Sequence, residues 1–200
     1  MESLALTFSS GWASGVNAYL VVLVLGIADR VGGYEDIPDA LARWDILVIA
    51  GVMYAMEFVA DKIPYVDSTW DVISTLIRPT AGAVIGALLA GNVPEDTRLD
   101  QVVLASVGGT TALVSHLTKS GIRLAINTSP EPVTNIGVSI LEDFAVLAVV
   151  AFAIQNPRAA AGIAAVLLAV GLMLLFLVAK LVRRGWRRWK ARRQPAGAAP

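Results

Sequence analysis

The stretch HLTKSGIRLAINTSPEP, His116 to Pro132, sets a histidine, a lysine and an arginine into an otherwise apolar chain. Read one way it is a charged loop, and read the other way it is a membrane helix that carries charge. His116, Lys119, Arg123 and Asn127 are spaced three, four and four residues apart. At 3.6 residues per turn those steps return to nearly one direction, so the spacing predicts a helix with one polar face. SPEP then predicts a sharp helix start. Ser129 suits the cap, Pro130 and Pro132 fit a first turn whose N–H groups lack intrahelical partners, and Glu131 sits at the positive dipole end. The stretch therefore reads as the end of one membrane helix and the start of the next.

Composition supports a membrane setting: 56% of residues are hydrophobic and 16% charged, against an apolar share of roughly 45–50% in a soluble domain. Apolar runs approaching the ~20 residues that cross a bilayer are predicted over 4–28, 46–60, 70–90, 102–126, 136–154 and 159–179. The expected fold is all-α, a polytopic bundle of about six transmembrane helices with short loops. It forms one integral membrane domain over 1–182, followed by a basic tail over 183–200. The second helix is expected to start early, near Pro38 and Asp39. The N-terminus lacks the basic region of a secretory signal and is read as retained. IADRV at 27–31 echoes VADKI at 59–63, which raises an inverted pseudo-repeat of the kind found in transporters. Short apolar segments with one charge pair recur often enough at span ends to produce the same echo by chance.

Formal net charge is zero, yet basic residues concentrate between Lys180 and Arg193. RRGWRRWKARR, with Trp186 and Trp189 among its arginines, suits an anionic inner leaflet better than nucleic acid. With the tail in the cytoplasm and six spans, both termini are expected on the cytoplasmic side. Cysteine is absent and His116 is the only histidine. No disulfide, thiol nucleophile, metal or other cofactor is expected.

Polar stripes recur on the neighbouring helices. Asp67, Asp71, Ser74 and Arg78 lie four, three and four apart, which places Arg78 about 16 Å along the helix from Asp67. Pro79 follows, removes a backbone donor, and is expected to kink the helix beside the arginine. Glu57 and Asp61 sit four apart with Lys62 at the membrane edge, while Asn135, Ser139 and Glu142 form one line with Asp143 beside it. A charge at the bilayer centre costs about 2.5–3.5 kcal/mol, so these faces are expected to turn toward one another. The candidate pocket comprises Asn17, Glu57, Asp61, Asp67, Asp71, Arg78, His116, Lys119, Arg123, Asn127, Glu131, Asn135, Glu142 and Asp143. Within it the expected ion pairs join Arg78 to Glu142 or Asp143, and Lys119 to Glu57. Carboxylates outnumber cations, so pairing alone leaves some over. The GxxxG pairs Gly11 with Gly15 and Gly82 with Gly86 predict close helix contacts.

SGVNAYL, FVADKIPYVDSTWD, LIRPTAG, HLTKSGIRLAINTSPEPVTN and LEDFAVL, in this order and spacing, resemble a bacterial multi-pass membrane family known only as a domain of unknown function, DUF4126. The resemblance runs from about Ser14 to Phe152. It implies an inner-membrane location and supplies no activity.

The residues themselves leave three functions open. The first is a small transporter or permease, alone or as a homodimer. Arg78, His116, Lys119 and Arg123 would attract a small anionic substrate, and Glu57, Asp61, Glu142 or Asp143 would couple protons or cations. The second is a noncatalytic scaffold or assembly factor whose stripes fix helix register. The third is a lipid-phosphate enzyme, with Asp67 and Asp71 holding a divalent metal and His116 acting as acid or base. It ranks last because a second catalytic histidine is absent, so no enzyme activity is expected.

Overall fold

The computed structural model describes residues 2–91, 98–127 and 132–193. Among them every element is helical: α1 (Glu2–Gly32), α2 (Trp44–Ala60), α3 (Pro64–Gly91), α4 (Arg98–Ile126), α5 (Pro132–Gln155) and α6 (Pro157–Arg193). The chain is thus an all-α bundle of six helices. Four of these, α1, α3, α5 and α6, are long and apolar enough to cross a membrane. α2 has only 17 residues, and α4 carries the polar stripe from His116 to Arg123.

α1 departs from the expectation of a simple span. Its 31 residues would measure about 46 Å if straight, yet its two ends lie together. Glu2 lines the same cavity as Tyr34, Asp36 and Ile37, which follow the helix, and Leu89, Ile154 and Pro157 complete the wall. Glu2 also pairs with Arg158 at 3.3 Å. The reversal falls at Asn17, whose φ of −154° and ψ of 96° are extended rather than helical. α1 is therefore a re-entrant hairpin of two half-helices, α1a before Asn17 and α1b after it.

Both ends of α1 sit at what we term the near end of the bundle, beside Leu89 near the end of α3 and the junction of α5 with α6. α2 leaves from the near end and finishes at the far end, and α6, antiparallel to α5, also ends there. Because α1 turns back at Asn17, Glu2 and the described end of α6 lie at opposite ends of the bundle. IADRV closes a half-helix and VADKI a full one, so the echo extends no further than the sequence.

The helix contacts follow from small residues. Gly11 and Gly15 lie against Gly108 and Ala112 of α4, while Gly82 and Gly86 of α3 lie against Gly108 and Leu104. A Cβ at any of these four glycines would collide with the α4 backbone. α4 is thereby clamped between α1a and α3, as the GxxxG pairs predict. Leu6, Ala13, Val21 and Leu25 of α1 form the core with Val146, Val150 and Ala153 of α5. α6 touches α4 through Leu175 at Gly121 and leaves Val166, Met173 and Phe176 exposed, as suits a lipid-facing helix.

One local expectation changes. Residues 38–42 are turns, closed by Leu41 N–H to the Pro38 carbonyl and Ala42 N–H to that of Asp39, so α2 starts at Trp44. Ile37 and Leu41 are buried, and the Leu41 backbone packs on Gly26, which holds this segment against α1b instead of extending α2. α3 continues through Pro79 as one helix. Ser129, Pro130 and Glu131 lie outside the described residues.

Candidate functional site: a buried charge cluster at the tip of the hairpin

The tip of α1 meets the stripes of α2, α3, α4 and α5 deep in the bundle. Arg78 lies about 21 Å along α3 from Pro64, and Asp143 about 17 Å along α5 from Pro132, at 1.5 Å per residue. Asn17, Glu57, Asp61, Asp67, Asp71, Arg78, His116, Lys119, Arg123, Asn135 and Asp143 are all buried. Asn127 is half-buried, and the Glu142 side chain keeps 20% of its surface. All the described candidate residues thus come together, and Glu131 lies outside the described residues.

Three fixed cations organise the cluster. The Arg78 guanidinium donates to Glu57 Oε1 at 2.6 Å, to His116 Nδ1 at 2.9 Å and to the Gly15 carbonyl at 3.2 Å. Asp71 lies 3.4 Å away. Lys119 binds Asp61 Oδ2 at 3.1 Å and the Val16 carbonyl at 3.0 Å, with Glu142 at 3.5 Å and Glu57 at 4.0 Å. Arg123 donates to Asn135 Oδ1 at 2.6 Å and to the Asp61 carbonyl at 3.0 Å. The Asp61, Asp67 and Glu142 carboxylates sit 3.4–3.5 Å from it. Arg78 therefore pairs with Glu57 and Asp71, where Glu142 or Asp143 was expected. Lys119 is closest to Asp61, and Glu57 is its most distant partner.

An arginine only donates, so His116 Nδ1 must accept and the imidazole is neutral with its proton on Nε2, facing Thr75 Oγ1 at 3.0 Å. His116 is thus a buried ligand of Arg78 and does not add a cation to the pocket.

The break in α1 and the cations satisfy one another. In a continuous helix the Val16 carbonyl would accept from Leu20 N–H. Here Leu20 N–H goes to Asn17 Oδ1 at 3.0 Å, a cap on α1b, and Lys119 takes the Val16 carbonyl. Arg78 does the same for Gly15, whose usual partner would be Tyr19. Non-helical backbone at membrane depth persists only where such partners replace the lost bonds. Asn17 uses its other group as well, donating through Nδ2 to Asp143 Oδ1 at 2.9 Å.

Six carboxylates, Glu57, Asp61, Asp67, Asp71, Glu142 and Asp143, face three fixed cations. Buried ion pairs hold together only with good geometry and further hydrogen bonds. One oxygen each of Glu57, Asp61 and Asp143 makes no hydrogen bond. Asn127 steadies Asp67 at 2.6 Å, and Asn135 Nδ2 reaches the Asp61 carbonyl at 3.1 Å. Lys62 stays outside this set. Its Nζ lies over the Phe58 ring and bonds the Phe58 carbonyl at 2.7 Å, and burial lowers its pKa from the ordinary lysine value. Such a site can bind or exchange protons or small cations. Its own cations are already engaged and offer little to an anion.

The family model described as Domain of unknown function (DUF4126) matches residues 4–177. The chain belongs to that family. Neither the curated proteins nor the solved structures give a match. The family match takes in the hairpin, the whole described cluster and most of α6.

Sequence reasoning missed the two carbonyls at the break and the hydroxyls around His116, from Thr75 and Ser120. The stripes signalled the side chains, but a backbone group becomes a ligand only where the helix stops. Among the described residues no three His, Cys, Asp or Glu side chains are placed to hold a metal. Asp67 turns to Asn127 and Arg123, and Asp71 to Arg78.

Proposed function

We propose that this chain is a small membrane transporter or permease whose cycle runs on protons or monovalent cations. The observation that carries this reading is the broken helix. Its tip lies among six carboxylates and three cations, with backbone carbonyls as ligands. Discontinuous helices that meet buried charge at mid-depth are how many transporters build their sites. A net negative cluster away from water must be neutralised, and protons or cations entering and leaving do so reversibly. The free small anion loses ground as a substrate because Arg78, Lys119 and Arg123 are each already paired with carboxylates.

We place the far end in the cytoplasm of a bacterial cell. Lys180, Arg183, Arg184 and Arg187 line one groove with Phe176 and Ala179, and Trp186 is exposed beside them. This suits the anionic cytoplasmic leaflet and puts Glu2 on the opposite side.

The test uses purified protein in liposomes, with an internal pH dye for protons and radioactive sodium for cations. Flux above protein-free liposomes is expected with at least one probe. E57Q, R78A and E142Q should each cut it about tenfold or more, the loss that follows from about 1.4 kcal/mol of lost interaction. Wild-type flux equal to that of empty liposomes for both probes, or flux unchanged in all three variants, would sink the proposal. That outcome would favour the scaffold reading, which the pairing of the three cations with carboxylates also supports.

A further inference from the structure

We infer that the groove between α3 and α4 binds an amphipathic ammonium ion, a protonated amine on an apolar body, which enters from the lipid. The groove is a cavity of about 210 Å³ with Ser68, Asp71, Thr75 and Ser120 on its wall. Val72, Leu117 and Leu124 complete it, and all three are exposed on the outer surface of the bundle. One water needs only about 10–15 Å³, so the space admits a ligand of several atoms. Asp71 is the one charged side chain among the described residues that line it.

The hydrogen bonds set the sign of the ligand. Thr75 Oγ1 donates to the Asp71 carbonyl, and Ser120 Oγ donates to the His116 carbonyl. Both hydroxyl hydrogens are therefore spent inside the protein, and what remains toward the groove is oxygen lone pairs. An ionised carboxylate likewise only accepts. Arg78 donates to Glu57 at 2.6 Å but stands 3.4 Å from Asp71 Oδ1, which makes no hydrogen bond. A wall of acceptors around a carboxylate repels an anion and gives a carbonyl no donor. A primary ammonium brings a positive charge and three N–H donors, which is the complement.

Depth sets the rest of the ligand. α3 has 28 residues and measures about 42 Å, against about 30 Å of hydrocarbon, so a centred helix extends about 6 Å beyond it at each end. Asp71, about 10 Å along from Pro64, falls just inside the far-end boundary. Amphipathic cations rest at that level, with the charged head toward water and the stem in the apolar phase. The head meets Asp71 while Val72, Leu117 and Leu124 take the stem. The bound charge then lies beside the cluster, because Asp71 adjoins Arg78 and Thr75 Oγ1 is 3.0 Å from His116 Nε2. The site is defined by binding and goes beyond the transport reading, on which this ammonium would be the substrate exchanged against protons.

The test uses octylamine with a diazirine at its terminal carbon, photolysed with the full chain in lipid nanodiscs and mapped by peptide mass spectrometry. Label should concentrate on Val72, Leu117 and Leu124 over the equally lipid-facing Val52 and Val166. Octylamine should compete it away, and octanol and octanoate should not. D71N should lower labelling at the groove at least tenfold. S120L, which fills the groove from α4 and leaves the Asp71 and Arg78 pair in place, should do the same. Even labelling of all lipid-facing helices, equal competition by octanol or octanoate, or wild-type labelling in monodisperse D71N would overturn the site. Because labelling is read without flux, focused and competed label in a protein that moves neither protons nor sodium would sink the transport reading and uphold the site.

Discussion

Arg78→Ala is expected to leave the bundle close to the limit of stability. Arg78 is 1% exposed, and its removal strands Glu57 and Asp71, frees His116 Nδ1 and strips the Gly15 carbonyl of its donor. Breaking a buried pair by deleting one partner costs about 3–5 kcal/mol, against a total of about 5–15 kcal/mol for a folded domain. At about 2–4 °C per kcal/mol for a chain of this size, the melting temperature in detergent should fall by roughly 6–20 °C. Arg78→Lys keeps the charge but loses the fork that reaches Glu57, His116 and Gly15 together, so its melting point should fall between the two. R78M/E57Q should recover part of the loss, because it removes both members of the shortest pair. A wild-type melting temperature for Arg78→Ala would mean that the cluster does not hold the helices together.

Gly15→Leu is expected to cost nearly as much by a different route. Gly15 faces the Ala112 carbonyl, the Ser115 side chain and the His116 backbone, none of which can withdraw without moving α4. Overpacking at a buried contact costs about 1–3 kcal/mol, and a collision with backbone belongs at the upper limit or above. The displacement would also pull the Gly15 carbonyl from Arg78, and the Trp12 carbonyl from the Ser115 hydroxyl now 2.8 Å away. A fall of about 6–12 °C should follow for about 3 kcal/mol. Gly137→Leu is the control, since nothing lies near its Cβ position and it is exposed on α5. It should shift melting by no more than about 2 °C, the effect of a few tenths of a kcal/mol at an open helix site. Equal effects at positions 15 and 137 would show that helix propensity, rather than the α1 and α4 contact, sets the cost.

The polar stripes could be read from sequence because each lies on an unbroken helix, where the residue interval fixes the direction of the side chain. The interval gives a face and does not say which helix that face meets. Arg78 was therefore assigned to the fifth helix when it binds Glu57 of the second. The GxxxG pairs were readable for the same reason as the stripes, since close approach needs only a small residue at the right interval. The hairpin was not. α1 is apolar around most of its circumference, so no moment marks a change of direction, and the turn has neither a proline nor a run of polar residues. The available signal was length: 31 residues are too many for one span of about 20, and Asn17 stands near the middle.

The re-entrant hairpin is the claim on which the site and its backbone ligands rest. Spin labels on S3C and Y34C, introduced into the cysteine-free chain and measured by pulsed electron resonance in lipid nanodiscs, test it most directly. Both positions line the near-end cavity, so a single distance less than half of the ~46 Å length of a straight α1 is expected. A distance distribution centred near that full length would mean that α1 crosses the membrane as one rod and would contradict the account.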